Sequence, residues 1–382
     1  MGANAQGKTN LLESVFLLAT GHAHSADTDR EMVGWSAARE PIPYGRVTAR
    51  MASDGGRGTD VEVVMQLTPR GGVVESEIAP WSGPEEPGPV AVTGGVLHKA
   101  FKVNGVRQRT VSSGGSVVAV MAGPEEVELI GGPPARRRRF LDLPNWQTDP
   151  AYAQALSRYQ RVLTQRNALV RRSRESGGRR PDDMDVWDGE LAESGSYVLS
   201  RRLEMLRVLE PEVVAAHESL TGVVAPVRLD YRGTIGVEER ATDQASMRER
   251  VMSALREAWP RDSGSGATTV GPHRDDLRVL DGEIDLGTYG SRGQQRSVAL
   301  ALVLAQAAYM RSVVGEEPVL LLDDPLSELD GRRRERLLEL CTSGGVRQVL
   351  VTTAELELVP EGVRGAMSEF RVAGGAVSES ST

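Results

Sequence analysis

A chain of 382 residues exceeds the length over which one hydrophobic core keeps growing, so two lobes are expected. Its single cysteine, Cys341, excludes a disulfide framework and suits a reducing cytosol. The net charge of −8 argues against an indiscriminate nucleic-acid binder. No run reads as long and apolar enough for a membrane helix, and no leader pattern opens the chain, so the expectation is a cytoplasmic protein with no membrane partner.

In chain order, the first signal is GANAQGKT. Gly2, Ala3, Asn4, Ala5, Gln6, Gly7, Lys8 and Thr9 fit a phosphate loop. Glycines let backbone N–H groups close around phosphates, Lys8 reaches the terminal ones, and the Thr9 hydroxyl ligates magnesium. The helix that follows, Lys8 to about Thr20, points its positive dipole end at the anion. A β-rich stretch comes next: Tyr44 to Met51, Asp60 to Thr68 and Val73 to Ile78 alternate or carry β-branched residues. Asn104-Gly105 marks a hairpin between Lys99 to Val103 and Val106 to Val111, and Pro80 to Gly95 reads as a surface loop.

From Asp149 the period changes to helical. Tyr152, Leu156, Tyr159, Leu163 and Leu169 lie on one helix, and a second runs from about Asp182 to Leu209, with shorter helices to Pro260. No long heptad array is present, and Gly264 to Gly266 leads out of this block. Residues 136 to 180 carry twelve arginines against Asp142, Asp149 and Glu175. Two readings stay open. The cluster neutralises DNA phosphates, with Arg166, Arg171, Arg172 and Arg174 the candidate contacts, or it is a solvated face paired with acids such as Glu190 and Glu193. The run Arg136 to Arg139 has the further reading of a structural brace. In VGPHRDDL, Val270 to Leu277, one histidine beside adjacent carboxylates makes a poor chelate, and a turn held by Asp and Arg contacts fits better.

Two pieces remain. SRGQQRS opens a helix, Gln294 to about Arg311, that is apolar nearly all round. Ser291 and Gly293 therefore stand at a helix N-terminus that offers a hydroxyl and free N–H groups, a second anion site or a plain cap. Val319 to Leu322 is an unbroken apolar run, as in a parallel strand covered on both faces. Asp323 and Asp324 emerge at its carboxyl end, where open α/β sheets place ligands. Asp323 is the magnesium carboxylate and Asp324 the group that orients or deprotonates a water. Ala373 to Thr382 reads as a frayed tail.

Together, GANAQGKTNLLESVFLLATG, PEEVELIGGPPARRRRFLD, YQRVLTQRNALV, VGPHRDDL, GSRGQQRS and LLLDDPLSELD resemble the RecF family of recombination and repair ATPases, in the SMC-like ABC group, over nearly the whole length. The resemblance implies an α/β fold, a P-loop ABC-type ATPase head with a β-rich subdomain plus an inserted α-helical lobe. Its expected divisions are head at 1–140, helical lobe at 141–262 and head again at 263–382. It implies ATP and Mg2+ as cofactors and a homodimer in which Ser291, Gly293 and Gln294 of one copy complete the site held by Lys8, Thr9, Asp323 and Asp324 of the other. It also implies slow DNA-stimulated hydrolysis, binding of single-stranded and gapped or junction DNA, RecO and RecR as partners, and help in loading a recombinase. The insertion and the SELD segment, Ser327 to Asp330, argue against the energising subunit of a transporter. Two departures stand out. The strand from which a phosphate loop hangs is expected before Gly2, and its lack suggests a late start or, alternatively, a nucleotide-gated module without effective hydrolysis. Ala5 stands where the family commonly has glycine, which matters if that position takes positive φ.

Overall fold

The computed structural model describes residues 1–3, 5–24, 32–33, 44–52, 58–69, 95–108, 117–236, 243–343 and 348–379. In chain order the elements are α1 (Lys8–Thr20), β1 (Tyr44–Met51), β2 (Thr59–Pro69), β3 (Gly95–Val103), β4 (Val106–Gln108), β5 (Ala119–Ala122), α2 (Glu128–Gly131) and α3 (Pro134–Thr148). They continue through α4 (Pro150–Glu175), α5 (Met184–Thr221), β6 (Val227–Arg232), α6 (Gln244–Ser265), β7 (Asp276–Asp281), β8 (Ile284–Asp285), α7 (Leu286–Tyr289) and α8 (Arg292–Val314). The last are β9 (Val319–Asp323), α9 (Gly331–Ser343), β10 (Val349–Thr352), α10 (Glu361–Arg364), β11 (Phe370–Ala373) and β12 (Ala376–Glu379).

The chain divides into two compact units. The first comprises Met1–Glu126, Ala215–Val224 and Ala299–Thr382. It holds a parallel sheet in the order β10-β9-β5 and an antiparallel meander β1-β2-β3-β4. Every residue of β9 is buried, as its unbroken apolar run requires. Helix α1 is tied to both sheets: Leu17 and Leu18 enter a cluster with Val61, Val63, Met65, Leu97 and Phe101 of the meander. Leu17 has no exposed surface, and truncating it to alanine removes about 2–5 kcal/mol. The turn between β3 and β4 is Asn104-Gly105 with φ of 50° and 77°, the paired left-handed conformation of a type I′ hairpin.

The second unit comprises Val127–Val214 and Ala225–Val298. Its core joins α4, α5 and α6 through Tyr159, Val162, Leu191, Leu199, Met247, Val251 and Leu255. A small antiparallel sheet, β6-β7-β8, completes it. Asp149 caps α4 by accepting from the N–H groups of Ala151 and Tyr152, and Asp243 caps α6 in the same way.

Several expectations require correction. Helix α5 does not end near Leu209; it runs through Pro211 to Thr221. Proline removes one helical N–H and crowds the preceding turn at about 3 kcal/mol, and burial of Val213 and Leu220 offsets that cost. The stretch assigned to short helices contains β6, where Val227 and Leu229 alternate inward and the partner β7 lies some fifty residues further on. From Ala373 to Glu379 the tail is not frayed: Gly374 and Gly375, both at positive φ, turn β11 back into β12, and residues 380–382 lie outside the described residues. Helix α8, contrary to the sequence reading, is long and apolar enough by length and composition to cross a membrane, but 67% of its apolar window is buried within the protein. The expected strand Val73 to Ile78 and residues 80–94 of the expected loop lie outside the described residues.

Candidate nucleotide site and arginine-rich helix

The phosphate loop is held from the side by the C-terminal hairpin. The carbonyl of Met1 accepts from the Val372 N–H at 2.6 Å, and Gln6 accepts from Gly374 N–H through its side chain and from Gly375 N–H through its carbonyl. A Cβ on Gly2 would lie 2.2 Å from the Val372 carbonyl oxygen, so only glycine fits there. At the other end Gly7, with φ of 99°, turns the chain into α1 and leaves that helix N-terminus without a side-chain cap. Between them Ala5 adopts φ of 60°, so the position where the family commonly has glycine does take left-handed backbone. Asn4 lies outside the described residues. Lys8 is buried and its ammonium donates to the carbonyls of Gly2 and Ala3 at 2.6 and 2.9 Å, folded onto its own loop.

Residues at opposite ends of the sequence meet beneath this loop. The Thr9 hydroxyl donates to Asp323 Oδ2 at 2.7 Å, and the Thr352 hydroxyl donates to Asp323 Oδ1 at 2.5 Å. Two oxygens bound side by side in an octahedral Mg2+ shell are about 2.9 Å apart. The Thr9 and Asp323 oxygens therefore stand almost at ligand spacing, and a hard oxygen pair suits this cation. Asp324 follows at φ of 48°, with its N–H donated to the Thr352 hydroxyl at 3.0 Å. Its Oδ1 is buried and has no hydrogen-bond partner among the described residues. Beyond it, Ser327 bonds the Asp324 carbonyl, and Asp330 caps α9 by accepting from the Arg333 N–H, which holds its carboxyl below the usual range.

Ser291 caps α8 reciprocally with Gln294. The Gln294 N–H donates to the Ser291 hydroxyl at 3.3 Å, and the Ser291 N–H donates to the Gln294 side chain at 2.9 Å. Helix α8 thus begins two residues before its expected start, and Ser291, Gly293 and Gln294 are all exposed.

The arginines sort into three groups. Arg136 pairs with Glu128, Arg137 grips Asp276 with two nitrogens, Arg138 donates to the Asp275 carbonyl, and Arg158 pairs with Glu190. Arg166 must leave the DNA set. Its side chain has 0% exposure, Nε bonds Asp188, and Nη1 bonds both Asp262 and Thr268, each at 2.7 Å. A guanidinium so enclosed reaches no phosphate. Arg171, Arg172 and Arg174 lie exposed at the end of α4, where Arg174 donates to the Ser265 carbonyl and the other two have no acidic partner among the described residues. Arg161 shares that condition and was part of the sequence cluster without being singled out.

VGPHRDDL is a polar hub. Asp275, fully buried, accepts from the Tyr231 hydroxyl and from the N–H and hydroxyl of Thr234. Arg202 grips Asp142 and donates to the Pro272 carbonyl. His273 accepts from the Tyr159 hydroxyl at Nδ1 and donates from Nε2 to the Thr268 carbonyl, the tautomer that satisfies both contacts. Burial, with the charges of Arg274, Arg138 and Arg166 adding to it, pushes His273 down to about 4, so the ring is neutral at pH 7. Every polar side chain of this motif is thus engaged within the unit. Thr352, which the sequence places with Thr353 where transporter ATPases usually carry a histidine after this strand, joins both aspartates through its hydroxyl, and the buried Arg202 is a residue that sequence reasoning gave no role.

No family model matches the chain. It is 37% identical over 360 residues to the DNA replication and repair protein RecF of Herpetosiphon aurantiacus, covering 93% of this chain and 86% of that protein. To its namesake in Heliobacterium modesticaldum it is 36% identical over 381 residues, covering 100% and 92% respectively. Among solved structures, the recombination mediator protein RecF-ATP of the RecFOR pathway superposes with a TM-score of 0.79 at 27% identity, over 100% of this chain and 90% of that one. The corresponding RecF-ATPrS structure gives 0.77 at 27% identity, over 99% and 90%.

Proposed function

The chain belongs to the RecF family, and from that premise we propose that it is an ATP-dependent DNA-binding protein of recombinational repair and replication-fork maintenance, built on a P-loop ABC-type ATPase head with an inserted helical lobe. The observation that carries the reading is the Thr9 to Asp323 hydrogen bond: residues 314 apart in sequence converge beside Lys8 and the uncapped N-terminus of α1. Lys8, released from the Gly2 and Ala3 carbonyls, neutralises the terminal phosphates of ATP, and the loop N–H groups cradle the others. Thr9 and Asp323 hold Mg2+, which when bound draws charge from the phosphate oxygens. Asp324 orients the attacking water and receives its proton. Ser291 and Gln294 of a second copy exchange their mutual cap for the terminal phosphate, so ATP joins two copies and hydrolysis separates them.

Arg171, Arg172 and Arg174 supply the DNA contact, with single-stranded and gapped or junction DNA as ligands. RecO and RecR are the partners in loading a recombinase, in the cytoplasm. Slow hydrolysis stimulated by DNA is the expected activity. Equilibrium titration and phosphate release test the reading: the Lys8→Ala variant loses ATP, while Asp324→Asn retains it, accumulates dimer and releases phosphate at only a small residual rate. Undiminished ATP affinity in Lys8→Ala, or normal phosphate release by Asp324→Asn, would defeat it.

A further inference from the structure

Thr352 sits at the carboxyl end of β10, directly across the parallel ladder from Asp323. It is 7% exposed, and one hydroxyl does two things at once. It donates to Asp323 Oδ1 at 2.5 Å and accepts the Asp324 N–H at 3.0 Å. Both oxygens of Asp323 are thereby committed to threonine hydroxyls, Thr9 on one side and Thr352 on the other. Asp324 is a different case. Its backbone is left-handed, at φ of 48°, a conformation a non-glycine residue keeps only where its surroundings hold it. Its N–H is bonded to Thr352, and its buried Oδ1 is unpartnered among the described residues. The turn that aims the Asp324 carboxylate is thus closed by a side chain on the neighbouring strand.

We propose that Thr352 is a positioning residue for hydrolysis: its hydroxyl clamps the backbone of Asp324 in the left-handed turn and so aims the carboxylate at the water. The inference rests on the reading of Asp324 as the water-orienting group. Valine in place of Thr352 keeps shape and β-branching but can neither accept the Asp324 N–H nor donate to Asp323, while serine keeps both. Valine also suits a strand, so Thr352→Val is expected to fold.

The test uses the full chain. Steady-state ATP hydrolysis should show kcat of Thr352→Val lowered about 10- to 100-fold, the scale of a misaligned catalytic group. KM and equilibrium ATP affinity should stay within about threefold, and Thr352→Ser should return kcat to within about threefold of wild type. In an Asp324→Asn background, adding Thr352→Val should change residual hydrolysis by less than about twofold, because the clamp then has no carboxylate to aim. An independent readout is hydrogen-exchange mass spectrometry of the 320–330 segment, where Thr352→Val should expose the Asp324 amide and Thr352→Ser should protect it. The proposal is overturned if Thr352→Val keeps wild-type kcat, if Thr352→Ser fails to rescue, if the loss persists in the Asp324→Asn background, or if the Asp324 amide exchanges equally in all forms. A wild-type protein that binds ATP without hydrolysing it would instead sink the catalytic reading of Asp324, and the exchange measurement would still report on the clamp.

Discussion

Replacing Arg166 by alanine should unfold the protein far more than it weakens binding to DNA. Arg166, Asp188 and Asp262 all have 0% side-chain exposure, so the substitution leaves carboxylates in the interior without their cation. Asp188 keeps Arg180 at 2.7 Å, but among the described residues Asp262 is left with only the N–H and hydroxyl of Thr269. Breaking a buried pair in this way costs about 3–5 kcal/mol. For a unit of 150 to 250 residues each kcal/mol lowers the midpoint by about 2–4 °C, so a fall of about 6–20 °C is expected. Thermal unfolding by circular dichroism measures it, and DNA titration over a salt series, at a temperature where both proteins are folded, supplies the control. A midpoint within about 2 °C of wild type, together with a salt slope reduced by about one, would show that Arg166 meets phosphate and is not enclosed.

Opposite behaviour is expected at the end of α4. Changing Arg171, Arg172 and Arg174 to glutamate should flatten the logarithmic salt dependence of DNA binding by about 0.9 for each phosphate no longer neutralised, with little change in midpoint; an unchanged slope returns the patch to a solvated face. His273 should make stability depend on pH. Its folded value of about 4 lies below the ordinary 6.5, so the unfolded chain binds more protons between those limits and stability rises with pH across them. The contribution, up to about 3 kcal/mol, is complete above pH 6.5 and is lost as pH falls towards 4. Urea denaturation at pH 5 and pH 7 should therefore show a larger pH difference in wild type than in His273→Gln, and equal differences would remove His273 from the account.

The nucleotide site was readable because its parts are local. A glycine-spaced loop, an apolar strand ending in two aspartates and a serine before a buried helix each announce themselves within a dozen residues. Asn104-Gly105 did the same for its hairpin. Gly374-Gly375 carries a comparable turn signal, but four-residue strands with one buried position, Val372, leave almost no alternation to detect. Arg166 illustrates the other limit. Its position among exposed arginines suggests surface, and only Asp188 and Asp262, 22 and 96 residues away, decide that it is interior. Helical period places it on the buried side of α4 with Tyr159, Val162 and Val170, a signal that charge counting overrode. Pro211, just past the expected end of α5 at Leu209, is a local breaker that yields to burial beyond it. Thr352 is legible, with Thr353, as the pair standing where transporter ATPases usually carry a histidine, but its bond to the N–H of a residue 28 positions earlier is not.

The decisive measurement is the ATP dependence of association, followed by light scattering alongside nucleotide titration, for wild type, Lys8→Ala and Ser291→Arg. Wild type should double its mass with ATP and Mg2+. Lys8→Ala should neither bind nor associate. Ser291→Arg should bind ATP as a monomer and fail to associate, because bulk and charge then stand where the partner's terminal phosphate must dock. If Ser291→Arg dimerises normally with ATP, or loses ATP as a monomer, the site shared between two copies is contradicted and the Ser291 to Gln294 cap is no more than the start of a core helix.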